Sequence, residues 1–167
     1  MKNYLLFSII CISQIFAGLI HPPDGSKLNY IHVVFKWETD GNVAEYEFEL
    51  SHANDFSSRL ISAEVADIKY VVTDQISWGS NYYWRVRAVG GNWMDTYSFT
   101  TGSTRSNVEV IMYEPSLYSD GNTIFGSADG YYSAIIEKDG NEIWNSGDDN
   151  IIYYNFLDND RFFGAEY

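Results

Sequence analysis

Three histidines are the residues in this chain best suited to nucleophilic or metal chemistry. They are His21, His32 and His52. A neutral imidazole is a good nucleophile near pH 7, and imidazoles are also common zinc ligands. However, His21 precedes a proline, His32 begins an apolar run and His52 lies in a turn-rich stretch, so their separations match no zinc-ligand pattern. We therefore predict structural or solvent-exposed roles for them, with no catalytic residue, no metal and no cofactor.

Acidic turn residues are a second group that could do chemistry, as oxygen ligands for calcium. In the last third of the chain they are Asp120, Asp129, Asp139, Asp148, Asp149, Asp158 and Asp160. None follows the alternating Asp-x-Asp-x-Asp-Gly spacing of a calcium loop, and Asp is an ordinary turn residue. Ordinary turns are the preferred interpretation, and "SGDDN" (146–150) is the alternative place for a cation.

Aromatic side chains offer a third chemistry, the stacking of sugar rings. Trp78, Tyr83 and Trp93 could form an exposed platform for carbohydrate. In a β-sandwich such residues more often fill loops and sheet edges, which is the interpretation we prefer.

The elements that would position these residues are short strands with a period of two. Apolar residues alternate with polar ones in "HVVFKW", "AEYEFEL" and "YYWRVRAV", and the strand "TYSFTT" closes the series near Thr101. The residues expected on the buried face are Val33, Phe35, Trp37, Tyr46, Phe48, Leu50, Tyr82, Trp84, Val86 and Ala88. Strands of this length, separated by turn residues, indicate an all-β fold built on an antiparallel β-sandwich.

Residues 18–101 resemble a fibronectin type III domain of the kind found in exported bacterial proteins. The resemblance is carried by "HPPDGS" before the first strand, by Trp37 on the second strand, and by "YEFELSHANDFSS" and "ISWGSNYYWRVRAVGGNW" further on. Tyr82 follows Ile76 by six residues, which is the spacing of a tyrosine corner. We therefore expect the Tyr82 hydroxyl to bond to backbone in the preceding loop.

A polar stretch, residues 102–107, is predicted to be a linker to a second β region, residues 108–167. Strands are expected at "VEVIMY", "GNTIFGS", "GYYSAIIEKDGNEIWNSG", "NIIYYNF" and "RFFGAEY". Asp139-Gly140 lies between two alternating runs, of which the second ends at Trp144, and indicates a hairpin with a tight primed turn.

The second β region has about the size of one propeller blade. A blade takes roughly 40–50 residues in four strands, and a closed propeller needs about four to eight blades. Residues 108–167 therefore predict a truncated propeller start, with a short appendix on the sandwich as the alternative.

The stretch "FGSADGYYSAIIEKDGNEIWNSGD" resembles the opening blade of the arylsulfotransferase family of bacterial β-propellers. Other propellers share an Asp-Gly turn followed by an apolar-Trp pair. The arylsulfotransferase resemblance implies a longer parent protein that transfers sulfuryl groups between phenols through a histidine intermediate, with the missing blades as partners and dimerisation through the parent as an option. No histidine lies in the propeller-like part, so no catalytic residue can be carried over. We expect the chain itself to be inactive.

The first 17 residues read as a secretory signal peptide, with Lys2 before an apolar run that contains Cys11. Without them the chain has 9 basic and 23 acidic residues, a net charge of −14. Such a surface repels phosphate backbones and anionic membranes, so neither nucleic acid nor membrane is an expected partner. The expected location is periplasmic or extracellular. Two hypotheses remain open: part of an arylsulfotransferase-like enzyme, or a non-catalytic module for adhesion or carbohydrate contact.

Overall fold

The computed structural model describes residues 18–39, 43–109, 114–117, 121–156 and 162–166. The predicted signal peptide with Cys11, most of the strand expected at "VEVIMY" and residues 157–161 lie outside these ranges. Within them the fold is all-β, with one short 3-10 helix at Pro115–Leu117 and no α-helix. None of the described helical segments is long or apolar enough to cross a bilayer.

The first eight strands form two sheets, which together we call the two-sheet unit. The small sheet has the order β1-β3-β6, and its strands are Leu19–His21, Val33–Trp37 and Lys69–Val72. The large sheet has the order β2-β8-β7-β4-β5, and its strands are Ser26–Leu28, Tyr97–Thr101, Asn81–Ala88, Tyr46–Ser51 and Arg59–Val65. None of the sheets closes into a barrel.

One pairing in the large sheet departs from the antiparallel expectation, because β2 runs parallel to β8. The chain reaches β2 through a turn that is tied to the end of β8. The backbone nitrogen of Gly25 donates to the carbonyl of Ser98, and the backbone nitrogen of Ser98 donates to the Asp24 carboxylate at 2.8 Å. The chain passes from the small sheet to the large sheet between β1 and β2. The two bonds hold this crossover against β8, and β2 then pairs with β8 in parallel.

The apolar faces of the two sheets share one aromatic core, as the alternation predicts. Phe35 of the small sheet lies 4.9 Å from Phe48 and 5.2 Å from Trp84 of the large sheet, measured between ring centroids. The predicted core residues Trp37, Tyr46, Phe48, Tyr82, Trp84 and Val86 are each at most 2% exposed. Close-packed aromatic contacts between facing strands therefore hold the sheets together.

Tyr82 makes the backbone hydrogen bond that its spacing predicts. Its hydroxyl oxygen accepts a bond of 2.8 Å from the backbone nitrogen of Ser77, and the side chain is 1% exposed. The bond ties the loop before β7 to a buried side chain of that strand.

The later strands form what we call the hairpin unit. A three-stranded antiparallel sheet has the order β11-β10-β9, and its strands are Glu142–Asn145, Tyr132–Ile136 and Thr123–Ser127. A two-stranded sheet follows, formed by β12 (Ile151–Phe156) and β13 (Phe162–Glu166). Ser133 Oγ donates to the carbonyl of Ile151 at 2.8 Å, which ties β12 to β10. The strands expected in this region from 123 onward are confirmed.

The turn at Asp139-Gly140 joins β10 and β11, but it is not a two-residue primed turn. Gly140 has a φ of +88°, whereas Asp139 has no positive φ. The nitrogen of Gly140 donates to the carbonyl of Glu137, and the nitrogen of Glu137 donates to the carbonyl of Asn141. The loop therefore has three residues, with Gly140 in the left-handed position and a register shift beside Ile136. Asp139 favours this form because its carboxylate accepts from the backbone nitrogen of Asn141 at 2.9 Å.

Candidate functional site: the junction of the two units

Strand β11 of the hairpin unit lies directly against the segment between β2 and β3. Tyr30 and Trp144 form an isolated antiparallel bridge. The nitrogen of Ile31 donates to the carbonyl of Ile143 at 3.0 Å, and the nitrogen of Asn145 donates to the carbonyl of Asn29 at 2.9 Å. Ile143 is 7% exposed and belongs to the same apolar cluster as the core of the two-sheet unit. Backbone bonds and a shared core therefore join the two units.

Glu142, the first residue of β11, is buried at the centre of this junction with 3% exposure. Its carboxylate accepts hydrogen bonds from the backbone nitrogens of Arg105 at 3.1 Å and Ser106 at 2.7 Å. It also accepts from the Ser106 hydroxyl, and from Asn145 Nδ2 at 2.6 Å. A buried carboxylate needs several donors to offset its lost hydration, and these four supply them. The stretch expected to be a linker is therefore bonded to the hairpin unit at this point.

Arg105 lies in the same connecting stretch, residues 102–107, and its side chain binds two turns of the hairpin unit. Its guanidinium donates to the carbonyl of Gly147 at 2.5 Å and to the carbonyl of Gly130 at 2.9 Å. The guanidinium carbon also lies 5.0 Å from the ring centroid of Tyr132. Arg105 therefore fixes the open end of the β10–β11 hairpin, since Gly130 precedes β10 and Gly147 follows β11.

A polar cleft of about 380 Å³ opens on one side of the junction. Lys27, Asn29, Arg105 and Asp148 line it, and Lys27 Nζ lies 3.2 Å from Asp148 Oδ2. Gly147 forms part of its wall at a φ of +62°, and a Cβ at this position would lie 2.1 Å from Asn29 Nδ2. A side chain at position 147 would therefore require the Asn29 side chain to move and the backbone to keep a left-handed conformation, both of which disfavour residues other than glycine.

A second cleft of about 500 Å³, which we call the aromatic cleft, opens beside Trp78. Ile31 and Ile76, 6% and 4% exposed, lie at its base, and the carboxylates of Asp74 and Glu137 lie at its rim. Trp78 lines the cleft, and its indole Nε1 donates to the carbonyl of Glu142 at 2.6 Å. The ring is therefore held in place by the junction itself.

The outer face of the large sheet carries a separate cluster of charges and rings. Glu49 is 4% exposed, and its carboxylate accepts from Arg59 at 2.6 Å and from Arg85 at 2.6 and 2.9 Å. Burial raises the pKa of the Glu49 carboxyl, but the hydrogen bonds from Arg59 and Arg85 outweigh burial and leave that pKa below its usual value. The Arg85 guanidinium lies 3.8 Å from the Phe56 ring centroid and 4.1 Å from that of Trp93.

The three histidines lie at separate places. His21 Nε2 lies 3.0 Å from the Tyr30 hydroxyl, and burial lowers the pKa of His21. His52 Nδ1 lies 3.0 Å from the carbonyl of Asn81, and His32 is beside Glu137. Among the residues that the structure describes, no group of three or more His, Cys, Asp or Glu is arranged to hold a metal ion.

The three residues of the aromatic platform that was the less favoured alternative lie on two separate surfaces. Trp78 lies at the junction, whereas Trp93 lies over Arg85 and Arg87 on the outer face of the large sheet. Tyr83 shares the outward side of β7 with the two arginines. Neither Glu142 nor Arg105 stands out in the sequence, because a charged residue in an alternating strand or a polar stretch gives no signal of burial.

No protein-family model matches the sequence of this chain. No curated protein matches it at a significant level of similarity.

Proposed function

We propose that the chain is the N-terminal scaffold of an exported arylsulfotransferase-like protein. In this proposal residues 18–101 are a fibronectin type III domain, and residues 108–167 begin a β-propeller whose further blades belong to a longer parent protein. The scaffold holds the first blade in a fixed orientation. Sulfuryl transfer between phenols takes place in the further blades, and residues 18–167 alone do not catalyse it.

The observation that carries the scaffold part of this proposal is the environment of Glu142; the arylsulfotransferase part rests on the sequence resemblance of the stretch around Asp139-Gly140. A flexible tether between two independent domains has solvated backbone, whereas here the nitrogens of Arg105 and Ser106 donate to a carboxylate that is 3% exposed. The backbone bonds from Ile31 and Asn145 add a second attachment. Such a double attachment suits a module that positions a neighbour.

The blade assignment is supported by the local arrangement of β9, β10 and β11. They form an antiparallel meander of three short strands with an Asp-Gly loop, and a complete propeller blade is a four-stranded antiparallel sheet. Strand β12 of the adjoining pair β12–β13 lies next to β9 and β10. A sheet this small buries too little apolar area to be stable alone, so it needs neighbours on its faces.

Hydrogen exchange of residues 18–167, followed by mass spectrometry, tests the scaffold. We expect peptides that cover 103–107 and 142–146 to be protected to nearly the same degree as the core strand β7. If these peptides exchange as fast as an unfolded chain while β7 stays protected, the units are independently mobile and the scaffold proposal is wrong.

Two further measurements test the assignment to an arylsulfotransferase-like parent. Residues 18–167, incubated with 4-nitrophenyl sulfate and phenol, should release no 4-nitrophenol, and measured turnover would contradict the proposal. Sequencing the gene beyond codon 167 should reveal more blades with an Asp-Gly turn followed by an apolar-Trp pair, together with histidines. A stop codon directly after Tyr167, with a stable protein of this length in the cell, would exclude the parent.

A further inference from the structure

We propose that the aromatic cleft binds an uncharged carbohydrate. This inference goes beyond the scaffold role and does not depend on it, because the cleft is formed whether or not further blades exist. Its volume of about 500 Å³ is within the usual range for small-molecule sites. Three features of its lining point to a sugar: an apolar base with a fixed indole, a polar rim, and the sign of its charges.

The base of the cleft is apolar and its aromatic residue is fixed. Ile31 and Ile76 are buried beneath it, and the indole of Trp78 is held through the 2.6 Å bond from Nε1 to the carbonyl of Glu142. A pyranose ring has one face of C–H groups, which stacks on an indole without needing hydrogen bonds. A ring that is already held loses little side-chain entropy when a ligand stacks on it, which favours binding.

The rim of the cleft supplies both acceptors and donors for hydroxyl groups. The carboxylates of Asp74 and Glu137 are acceptors, while Asn141 and the hydroxyl of Ser77 can do both. Asn141 Nδ2 donates to Glu137 Oε2 at 3.3 Å, which orients that carboxylate. Each sugar hydroxyl is both a donor and an acceptor. A polyol therefore satisfies this rim better than a ligand that offers only donors or only acceptors.

The charges of the cleft favour an uncharged ligand over an anionic one. Among the residues that the structure describes, Asp74 and Glu137 are the carboxylates that line the cleft, and neither Lys nor Arg lines it. The whole chain has a formal charge of −13. A sulfate, phosphate or carboxylate would therefore be repelled both locally and at a distance. A cationic amine is the competing ligand on charge alone, and the experiment below separates it from a sugar.

The test is titration of ¹⁵N-labelled residues 18–167 with three neutral hexasaccharides: cellohexaose, maltohexaose and laminarihexaose. We expect at least one to shift the Trp78 indole and the backbone signals of Ser77 and Asn141 saturably. The shift should be unchanged between low and high salt, because no ion pair forms. Spermidine is titrated in parallel, and its binding should be weak and salt-dependent.

Three variants locate the site. Asp74→Ala, at an exposed rim position, should weaken the sugar roughly tenfold, as loss of one charged hydrogen bond does. Trp78→Phe keeps a ring but loses the bond to Glu142, and should weaken the sugar as well. Asp148→Asn removes a charge at the polar cleft on the other side of the junction and should leave the affinity unchanged. Thermal unfolding of each variant confirms that it is folded.

Several results would overturn the inference. One is the absence of saturable shifts with all three hexasaccharides. Another is saturable, salt-sensitive binding of spermidine alone, which would make the cleft an amine site. A third is sugar binding that Asp148→Asn abolishes and Asp74→Ala leaves intact, because the sugar would then occupy the polar cleft.

Discussion

The indole nitrogen of Trp78 donates a 2.6 Å hydrogen bond to the backbone carbonyl of Glu142, a residue 64 positions later in the chain. The side chain of Glu142 at the same time accepts from the nitrogens of Arg105 and Ser106. One residue of the hairpin unit is therefore bonded through its backbone to a loop of the two-sheet unit and through its carboxylate to the connecting stretch. This arrangement makes Glu142 the position where the two units are most directly coupled.

Glu142→Gln should loosen the junction. An amide keeps the volume but replaces one acceptor oxygen with a donor, which then faces donors at Arg105, Ser106 or Asn145. We expect a loss of about 2–4 kcal/mol in the free energy of unfolding, measured by urea denaturation. Hydrogen exchange at residues 103–107 should also become faster. Glu45→Gln, at an exposed site, is the control, and an equal loss there would contradict a special role for Glu142.

Gly147→Ala should be more harmful than the same change at another glycine of similar conformation. Gly147 and Gly25 have φ values of +62° and +70°, so both substitutions strain the backbone by roughly 1–2 kcal/mol. At Gly147 the new Cβ would also meet Asn29 at 2.1 Å, whereas at Gly25 nothing lies within 4 Å. The difference between the two variants in urea denaturation isolates the steric contact. Equal losses of stability in the two variants would mean that Asn29 moves away from the added methyl group without cost.

Tyr82→Phe should destabilise the two-sheet unit by about 1–2 kcal/mol, because the backbone nitrogen of Ser77 loses a partly buried acceptor. Tyr83→Phe is a matched control, since the neighbouring ring lies on the outward side of β7. Thermal unfolding of the two variants decides the matter. If Tyr83→Phe lowers the stability as much as Tyr82→Phe does, the hydrogen bond to Ser77 makes no specific contribution to stability.

The sequence predicted the core well because the buried face of each strand follows from a period of two. Phe35, Phe48 and Trp84 lie where alternation places them. Glu49 and Glu142 could not be placed in this way, because their burial depends on donors that other segments bring to them. The parallel pairing of β2 was missed for a similar reason, since it depends on the bond between Asp24 and Ser98. Contacts between distant segments, rather than local pattern, decide these features.

Trp93→Ala should destabilise the large sheet, because the Trp93 ring makes cation–π contacts with two arginines. The guanidinium carbons of Arg85 and Arg87 lie 4.1 and 4.2 Å from its centroid. Each such contact is worth about 0.5–1 kcal/mol at a partly exposed site, so the loss in urea denaturation should be roughly 1–2 kcal/mol. Trp93→Phe retains a smaller ring and should cost less than alanine. An equal loss of stability in the two variants would show that an aromatic ring at position 93 adds no cation–π stabilisation.

Glu49 should make the stability of the protein sensitive to acid. Its carboxyl has a lowered pKa in the folded state, since the hydrogen bonds from Arg59 and Arg85 outweigh the effect of burial. The folded protein therefore holds fewer protons at this site than the unfolded chain in the acidic range. The stabilisation is fully present above the ordinary pKa of Glu, about 4.3, and is lost as the pH falls through the lower, folded-state value.

The variant Glu49→Gln isolates this contribution, because glutamine cannot titrate. At pH 7 we expect it to lower the free energy of unfolding by about 2–4 kcal/mol, since two arginines lose their charged partner. The difference between the two proteins should shrink as the pH falls from about 4.3 through the lower pKa of the folded state, because the Glu49 carboxylate of the unfolded chain is protonated first and that of the folded protein only at lower pH. Urea denaturation at several pH values from neutral to strongly acidic measures this trend, with exposed Glu64→Gln as the control. A difference that stays constant across this range would mean that Glu49 does not titrate with folding.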